Sequence, residues 1–191
     1  MENKTIRRIG VLTSGGDAPG MNAVIRAVVR TASANNISVL GIRRGYSGLI
    51  NGDIIEMAAR SVDGIIRKGG TMLYTARCQE MLTEEGLQKA ADTCKYLGID
   101  GLICIGGDGT FRGAQALSRK GVPCIGVPGT IDNDIGCSEY LAERRNQYLL
   151  GFFNMIVVYG IFKTESKRKS VPESFIYQRI SDGYSVGRTI E

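Results

Sequence analysis

The stretch DGLICIGGDGTFRGAQALSRKGVPCIGVPGTIDND, from Asp100 to Asp134, sets the fold of the chain. Leu102 to Ile105 is an apolar run with the length of one buried strand. Gly106-Gly107-Asp108-Gly109-Thr110 follows at once, and an amphipathic segment opens behind it. A strand that breaks into glycines and reopens as a helix turns backbone N–H groups around a concave surface, where anions bind. Asp108 would repel a bare phosphate there. It suits the site if a divalent cation lies between its carboxylate and the phosphates, since Mg2+ takes oxygen ligands and shares them with substrate. A second apolar run, Cys124 to Val127, leads into PGTIDND, Pro128 to Asp134, which places two carboxylates and a hydroxyl on the next loop of the same sheet. The pair of loops reads as a phosphoryl-transfer site: one holds metal-bound phosphates, the other takes a proton from the acceptor.

Working outward, Ile9 to Leu12 is another short strand, ended by TSGGD (Thr13 to Asp17). Met21 to Ser33 then has Val24, Ile25, Val28 and Val29 at helical spacing, with Pro19 near the first turn. The turn has neither the Gly-Lys-Ser/Thr ending of a Walker A loop nor a GxGxxG fingerprint. Gly15 and Gly16 either bring N–H groups to a phosphate or make a tight strand-to-helix turn. Val39 to Ile42 is a strand, and glycines at 45, 48 and 52 predict a turn-rich region with Tyr46 and Leu49 as packing points. Ser61 to Lys68 is predicted as a short helix, capped by Ser61 and ended by Gly69-Gly70. Arg77 ends a glycine-flanked segment; it is a phosphate ligand or a solvated charge. Thr83 to Leu97 is predicted as a helix capped by Thr83 and closed by Gly98, with Leu87, Ala90, Ala91, Cys94 and Leu97 on its buried face.

This strand–helix alternation predicts an α/β fold: a doubly wound, mostly parallel sheet between two helical layers. Ligands of such sheets sit beyond the carboxyl ends of the strands. The glycine turns at 15–16, 106–109 and 129 all fall at such ends, so they are expected to converge.

Composition narrows the chemistry. With no histidine among 191 residues, a Ser-His-Asp triad, a Cys-His pair and a His-ligated metal are excluded, and a general base must be a carboxylate or something rarer. The five cysteines include no Cys-x-x-Cys, so no zinc site or disulfide framework is indicated, and Cys104 and Cys124 read as small core residues. The net charge of +5 suits an anionic small molecule and nucleic acid equally and decides little, and the aromatic–basic interleaving that single-strand binders need is absent from the sequence. The N-terminal apolar stretch is too short for a secretory signal, which predicts a cytoplasmic protein.

Four motifs in order then define a resemblance: GVLTSGGDAPGMN (Gly10 to Asn22), GGTMLYTAR (Gly69 to Arg77), IGGDGT (Ile105 to Thr110) and PGTIDND (Pro128 to Asp134). Together they resemble the N-terminal part of ATP-dependent 6-phosphofructokinases, from Ile9 to Tyr140. GGDGT alone also occurs in NAD and lipid kinases, and the TIDND loop behind it argues against those. The resemblance implies phosphorylation of fructose 6-phosphate to fructose 1,6-bisphosphate in glycolysis, with ATP as co-substrate and Mg2+ as cofactor.

It also implies residue roles. Gly15 and Gly16 would face the transferring phosphate, Arg77 would bridge the phosphates, and Cys78 would lie beside the nucleotide. Gly107, Asp108, Gly109 and Thr110 would hold ATP, with Asp108 on the metal. Thr130, Ile131 and Asp132 would contact the sugar phosphate. Asp132 would be the catalytic base, with Thr130, Asp134 and Arg77 assisting. Pyrophosphate-using members carry an aspartate in place of Gly109 and a lysine in place of Gly129; side chains there would fill a nucleotide's space, which favours ATP. Arg26 and Arg30 match positions that bind an allosteric effector such as ADP, or are two solvated helix charges. A homotetramer is the family's assembly.

The resemblance stops after Tyr140, so residues 1–140 are expected to form an ATP-binding domain and 141–191 an atypical tail without the family's second lobe. Eight of the 13 Phe and Tyr residues, but only four of the 26 glycines, lie in that tail. Leu149 to Phe162 is too short to span a bilayer. With Lys163, Lys167, Arg168 and Lys169 behind it, that segment is a membrane-surface anchor or, as preferred, a replaced terminus with exposed apolar surface. The expected behaviour is weak Mg-ATP binding with little or no turnover, because the groups holding the sugar 6-phosphate are absent. The alternative from another class is a catalytically inactive nucleotide-binding or subunit-interaction module.

Overall fold

A computed structural model describes residues 6–130. The sheet has five strands: β1 (Arg8–Thr13), β2 (Ser38–Ile42), β3 (Ile54–Met57), β4 (Gly101–Gly106) and β5 (Cys124–Pro128). Their order is β3-β2-β1-β4-β5, so the first strand is central. β2, β1, β4 and β5 run parallel, and β3 is antiparallel beside β2. The helices are α1 (Met21–Ala34), α2 (Gly45–Asn51), α3 (Glu84–Tyr96) and α4 (Asp108–Arg119).

Alternation along the strands builds two cores. Ile9 and Val11 of β1 join Ile103 and Ile105 of β4 and Val127 of β5 under α1. Leu12, Leu102, Cys104 and Cys124 face the other way, under α2, α3 and α4. In α1, Val24, Ile25, Val28 and Val29 are fully buried, worth roughly 1.5–3 kcal/mol per side chain. The outer side of α1 is also covered, by Val62 and Ile65 of the segment that follows β3, which is why the helix carries so many small and apolar residues. The expected three-layer, mostly parallel α/β fold is present.

Leaving β1, the chain steps to β2 through α1 on one face; leaving β4, it steps to β5 through α4 on the other. Between β1 and β4 the strand order therefore reverses, and a crevice opens there at the carboxyl ends.

Two local expectations are corrected. Residues 61–68 are not one helix but two short 3-10 turns, Ala59–Val62 and Ile65–Arg67, parted at Gly64 with φ 71°. Ser61 does not cap; its hydroxyl accepts the Ala58 N–H at 3.1 Å from inside the first turn. The glycine-rich region after Ile42 holds a helix and a strand, α2 and β3, rather than turns alone. By contrast Pro19 is near the first turn of α1 as expected, one residue before the Gly20 cap. α3 also starts as expected: Thr83 accepts the Gly86 N–H at 3.1 Å, and Ala90, Ala91 and Cys94 are buried.

Candidate functional site

The carboxyl ends of β1 and β4 are stitched together. The Ser14 N–H donates to the Ile105 carbonyl at 3.0 Å, and the Thr110 hydroxyl donates back to the Ser14 carbonyl at 3.1 Å. The Gly129 N–H donates to the Gly106 carbonyl at 2.9 Å, which ties in the loop after β5. Gly106 sits where a Cβ would lie 2.3 Å from Thr110 Oγ1 and 2.4 Å from the Ser14 carbonyl oxygen, so only glycine lets the loops close on each other. The three glycine turns thus converge, as the sequence predicts, on one cavity of about 780 Å3.

α4, whose first turn lines this cavity, begins without a side-chain cap, at Gly107. The first N–H groups of α4 remain without intrahelical partners, and the positive end of the helix faces the site, a suitable place for phosphate. Gly15, with φ 87°, holds a left-handed turn; a Cβ at Gly16 or Gly109 would meet nothing within 4 Å. Both positions are open to a ligand.

A second set of bonds brings in the segment carrying Arg77. Thr13 Oγ1 donates to the Tyr74 carbonyl at 2.9 Å and lies 3.0 Å from Thr71 Oγ1. The Asn22 amide donates to the Lys68 carbonyl at 3.2 Å and accepts the Met72 N–H at 2.8 Å. Residues 71–78 have little regular structure of their own, so these buried polar groups of β1 and α1 fix their course. Arg77 and Cys78 reach the cavity in consequence. Thr13 and Asn22 were missed as site-building residues, although both lie in the first motif.

Asp108 opens α4 at the cavity wall, with its side chain 35% exposed. Its Oδ2 forms an ion pair with Arg112, 2.8 Å from Nε. Among the described residues no group of three acidic, Cys or His side chains could cage a metal. Asp108 is one carboxylate, and Mg2+ is commonly held by one or two carboxylates and completed by phosphates and water. Arg112, four residues on from Asp108 and itself lining the cavity, is a residue the sequence reading left out.

Behind α4, Tyr46 of α2 donates its hydroxyl to the Thr110 carbonyl at 2.6 Å. Burial, reinforced by Cys104, pushes its pKa well above the ordinary value, so it stays a donor. Burial likewise raises the Cys94 thiol to about 12 and the Cys104 thiol well above its ordinary value. Cys104 and Cys124 are buried core residues, as expected. Apolar surface on one side of the cavity comes from Met81, Leu87 and Ala116.

Thr130 is buried and lines the cavity. Ile131, Asp132 and Asp134 lie outside the described residues, as does the tail 141–191. The argument from Gly129 needs correction: a Cβ there would start 3.0 Å from Ile105 Cγ2 and 3.5 Å from Met21 Cγ, so core crowding by itself accounts for the glycine. Gly109 retains the open space on which the donor argument rests. Arg26 and Arg30 sit on α1 away from the cavity, and Arg30 makes a loose, exposed pair with Asp63 at 3.8 Å.

The phosphofructokinase family model matches residues 8–141. The chain belongs to the phosphofructokinase family. It is 61% identical over 135 residues to an ATP-dependent 6-phosphofructokinase of Clostridium botulinum, covering 71% of this chain and 42% of that relative. The phosphofructokinase of Pichia pastoris in its T-state aligns with TM-score 0.69 at 36% identity, over 74% of this chain and 18% of that one. The phosphofructokinase of Saccharomyces cerevisiae aligns with TM-score 0.66 at 31% identity, over 78% and 24%. The chain therefore spans less than half the length of the phosphofructokinases it matches. No helix among the described residues is long and apolar enough to cross a membrane.

Proposed function

We propose that this chain carries the nucleotide-binding half of an ATP-dependent 6-phosphofructokinase. The observation that carries the reading is the convergence of Gly15–Gly16, Gly107–Thr110 and Arg77 on one cavity at the switch point of the sheet. Backbone N–H groups at the start of α4 and in the Gly15–Gly16 turn bind the phosphates, and the Arg77 guanidinium spreads over them. Asp108 holds the Mg2+, which supplies charge neutralisation when bound. The space at Gly109 favours a nucleotide over pyrophosphate as donor.

The acceptor is fructose 6-phosphate, in glycolysis and in the cytoplasm. Asp132 takes the proton of its 1-hydroxyl, the new bond forms from that oxygen to the γ-phosphorus, and the bond to ADP breaks. Thr130, Ile131 and Asp134 position the sugar. Positioning and charge stabilisation supply most of such a rate. Residues 1–140 form the ATP-binding domain and 141–191 a divergent tail; Arg26 and Arg30 take an allosteric nucleotide such as ADP, and the assembly is a homotetramer. The second reading is a nucleotide-binding module without turnover.

A coupled assay for fructose 1,6-bisphosphate, with calorimetric titration of Mg-ATP alongside, tests both. The expected result is saturable Mg-ATP binding. Turnover that vanishes in Asp132→Asn would establish the enzyme and remove the module; absence of nucleotide binding would sink both.

A further inference from the structure

The cavity is lined by three carboxylates, Asp17, Glu84 and Asp108, and two guanidinium groups, Arg77 and Arg112. Glu84 is engaged outside by Lys120. Arg112 is turned onto Asp108 as an ion pair, with Nε 2.8 Å from Oδ2 across one turn of α4. The oxygen it occupies belongs to the carboxylate assigned above to Mg2+. A guanidinium and a divalent ion on one carboxylate lie close enough to repel each other, so each weakens the other's hold on Asp108.

We infer that Arg112 is a stand-in cation, which occupies Asp108 while no metal is present and yields it when a metal-bound nucleotide enters. The inference rests on the assignment of Asp108 to the metal. Its physical basis is the price of each state. A bare Asp108 carboxylate at the mouth of a phosphate site repels a polyphosphate, and the Arg112 contact cancels that charge. The contact is cheap to break. Arg112 is 75% exposed, and an exposed i,i+4 pair contributes little, so a divalent ion with two or more phosphate oxygens behind it displaces the guanidinium, which returns to water. Arg112 then sets how strongly nucleotide binding depends on metal. It is a positioning residue acting through Asp108.

The test compares ATP affinity of the full chain in EDTA and in Mg2+ by titration calorimetry, taking the quotient of the two dissociation constants. Arg112→Gln is expected to weaken metal-free ATP by about two- to fivefold, the worth of an exposed ion pair, and to leave Mg-ATP unchanged or slightly tighter. The quotient rises accordingly. Arg112→Lys, which keeps the charge, is expected to stay near wild type. Asp108→Asn is expected to bring the quotient toward one. If Arg112→Gln weakens both titrations equally, Arg112 is a plain phosphate ligand and the inference is overturned while the metal assignment stands. A variant quotient equal to wild type with neither affinity changed overturns it as well, leaving Arg112–Asp108 a surface pair. Should Asp108→Asn keep the wild-type quotient, the metal assignment falls and the inference with it.

Discussion

From β1 to α1 the chain spends seven residues, Ser14 to Gly20; from β4 to α4 it spends one, Gly107. The long turn is exposed at Gly15, Gly16 and Asp17 and hangs from bonds made by its neighbours. The short turn is extended at Gly107, with φ −101°, and starts its helix at once, so the N–H groups of α4 are aimed by the strand itself. Both are written in glycine, for different physical reasons. Gly15 needs a backbone conformation, Gly106 needs room for Thr110 and Ser14, and Gly16 and Gly109 leave room for something else. The contrast assigns one loop to adapt around a ligand and the other to serve as a fixed platform.

The sharpest way to break this contrast is Gly106→Ala. The added methyl meets Thr110 Oγ1 and the Ser14 carbonyl, and the crowding is expected to cost about 3 kcal/mol, read as a fall in the urea midpoint. A loss under about 0.5 kcal/mol would mean that the platform gives way and is not fixed.

A second probe acts from behind the platform. The Cys94 thiol is raised to about 12 by burial on the inner face of α3, so the folded state keeps a proton that the unfolded chain releases near pH 8.5. Its contribution to stability is complete below that value and is lost as pH rises toward 12. Each pH unit above about 9 is expected to cost about 1.4 kcal/mol. Denaturation midpoints from pH 8 to 11 check this, and Cys94→Ala should flatten the fall; an unchanged slope would remove Cys94 as its cause.

The smallest effects distinguish the two residues of the long turn. Gly15→Ala forces an L residue into φ 87° and is expected to cost about 1 kcal/mol. Gly16→Ala is expected to leave stability within about 0.5 kcal/mol, since no atom lies within 4 Å, yet to weaken ATP binding. A Gly16→Ala chain that binds ATP like wild type would take Gly16 out of the phosphate site.

Much of this was legible in the sequence, and the failures have causes. The parallel strands announced themselves as four-residue apolar runs because both faces are buried. The convergence of glycine turns followed from strand ends alone. α2 and β3 stayed hidden because the helix is only seven residues long and carries Gly45 and Gly48, the latter a position where a Cβ would lie 1.7 Å from the Arg43 carbonyl oxygen. Gly48 is a packing requirement that spells like a turn. The segment 61–68 was misread for the opposite reason: Ile65 and Val62 give helical spacing, but Gly64 interrupts it. In the site, Arg112 could have been found from its four-residue spacing to Asp108. Asn22 and Thr13 could not, since their partners are backbone groups 46 to 61 residues away, and no side-chain pattern marks a carbonyl.

The central place of β1 has a consequence for the order in which the molecule comes into being. The strand is made first, but one of its edges, and the turn above it, stay open until β4 and Thr110 exist, 96 residues after Ser14. At typical synthesis rates of ~5–20 residues per second that is a wait of roughly 5–20 s on the ribosome. During that interval Ile9, Val11 and Leu12 offer an unpaired apolar edge, the kind of surface that holding chaperones protect. When β4 docks, the edge closes and the phosphate turn is locked by the same event. The locked phosphate turn is therefore a signal that β4 has docked against β1.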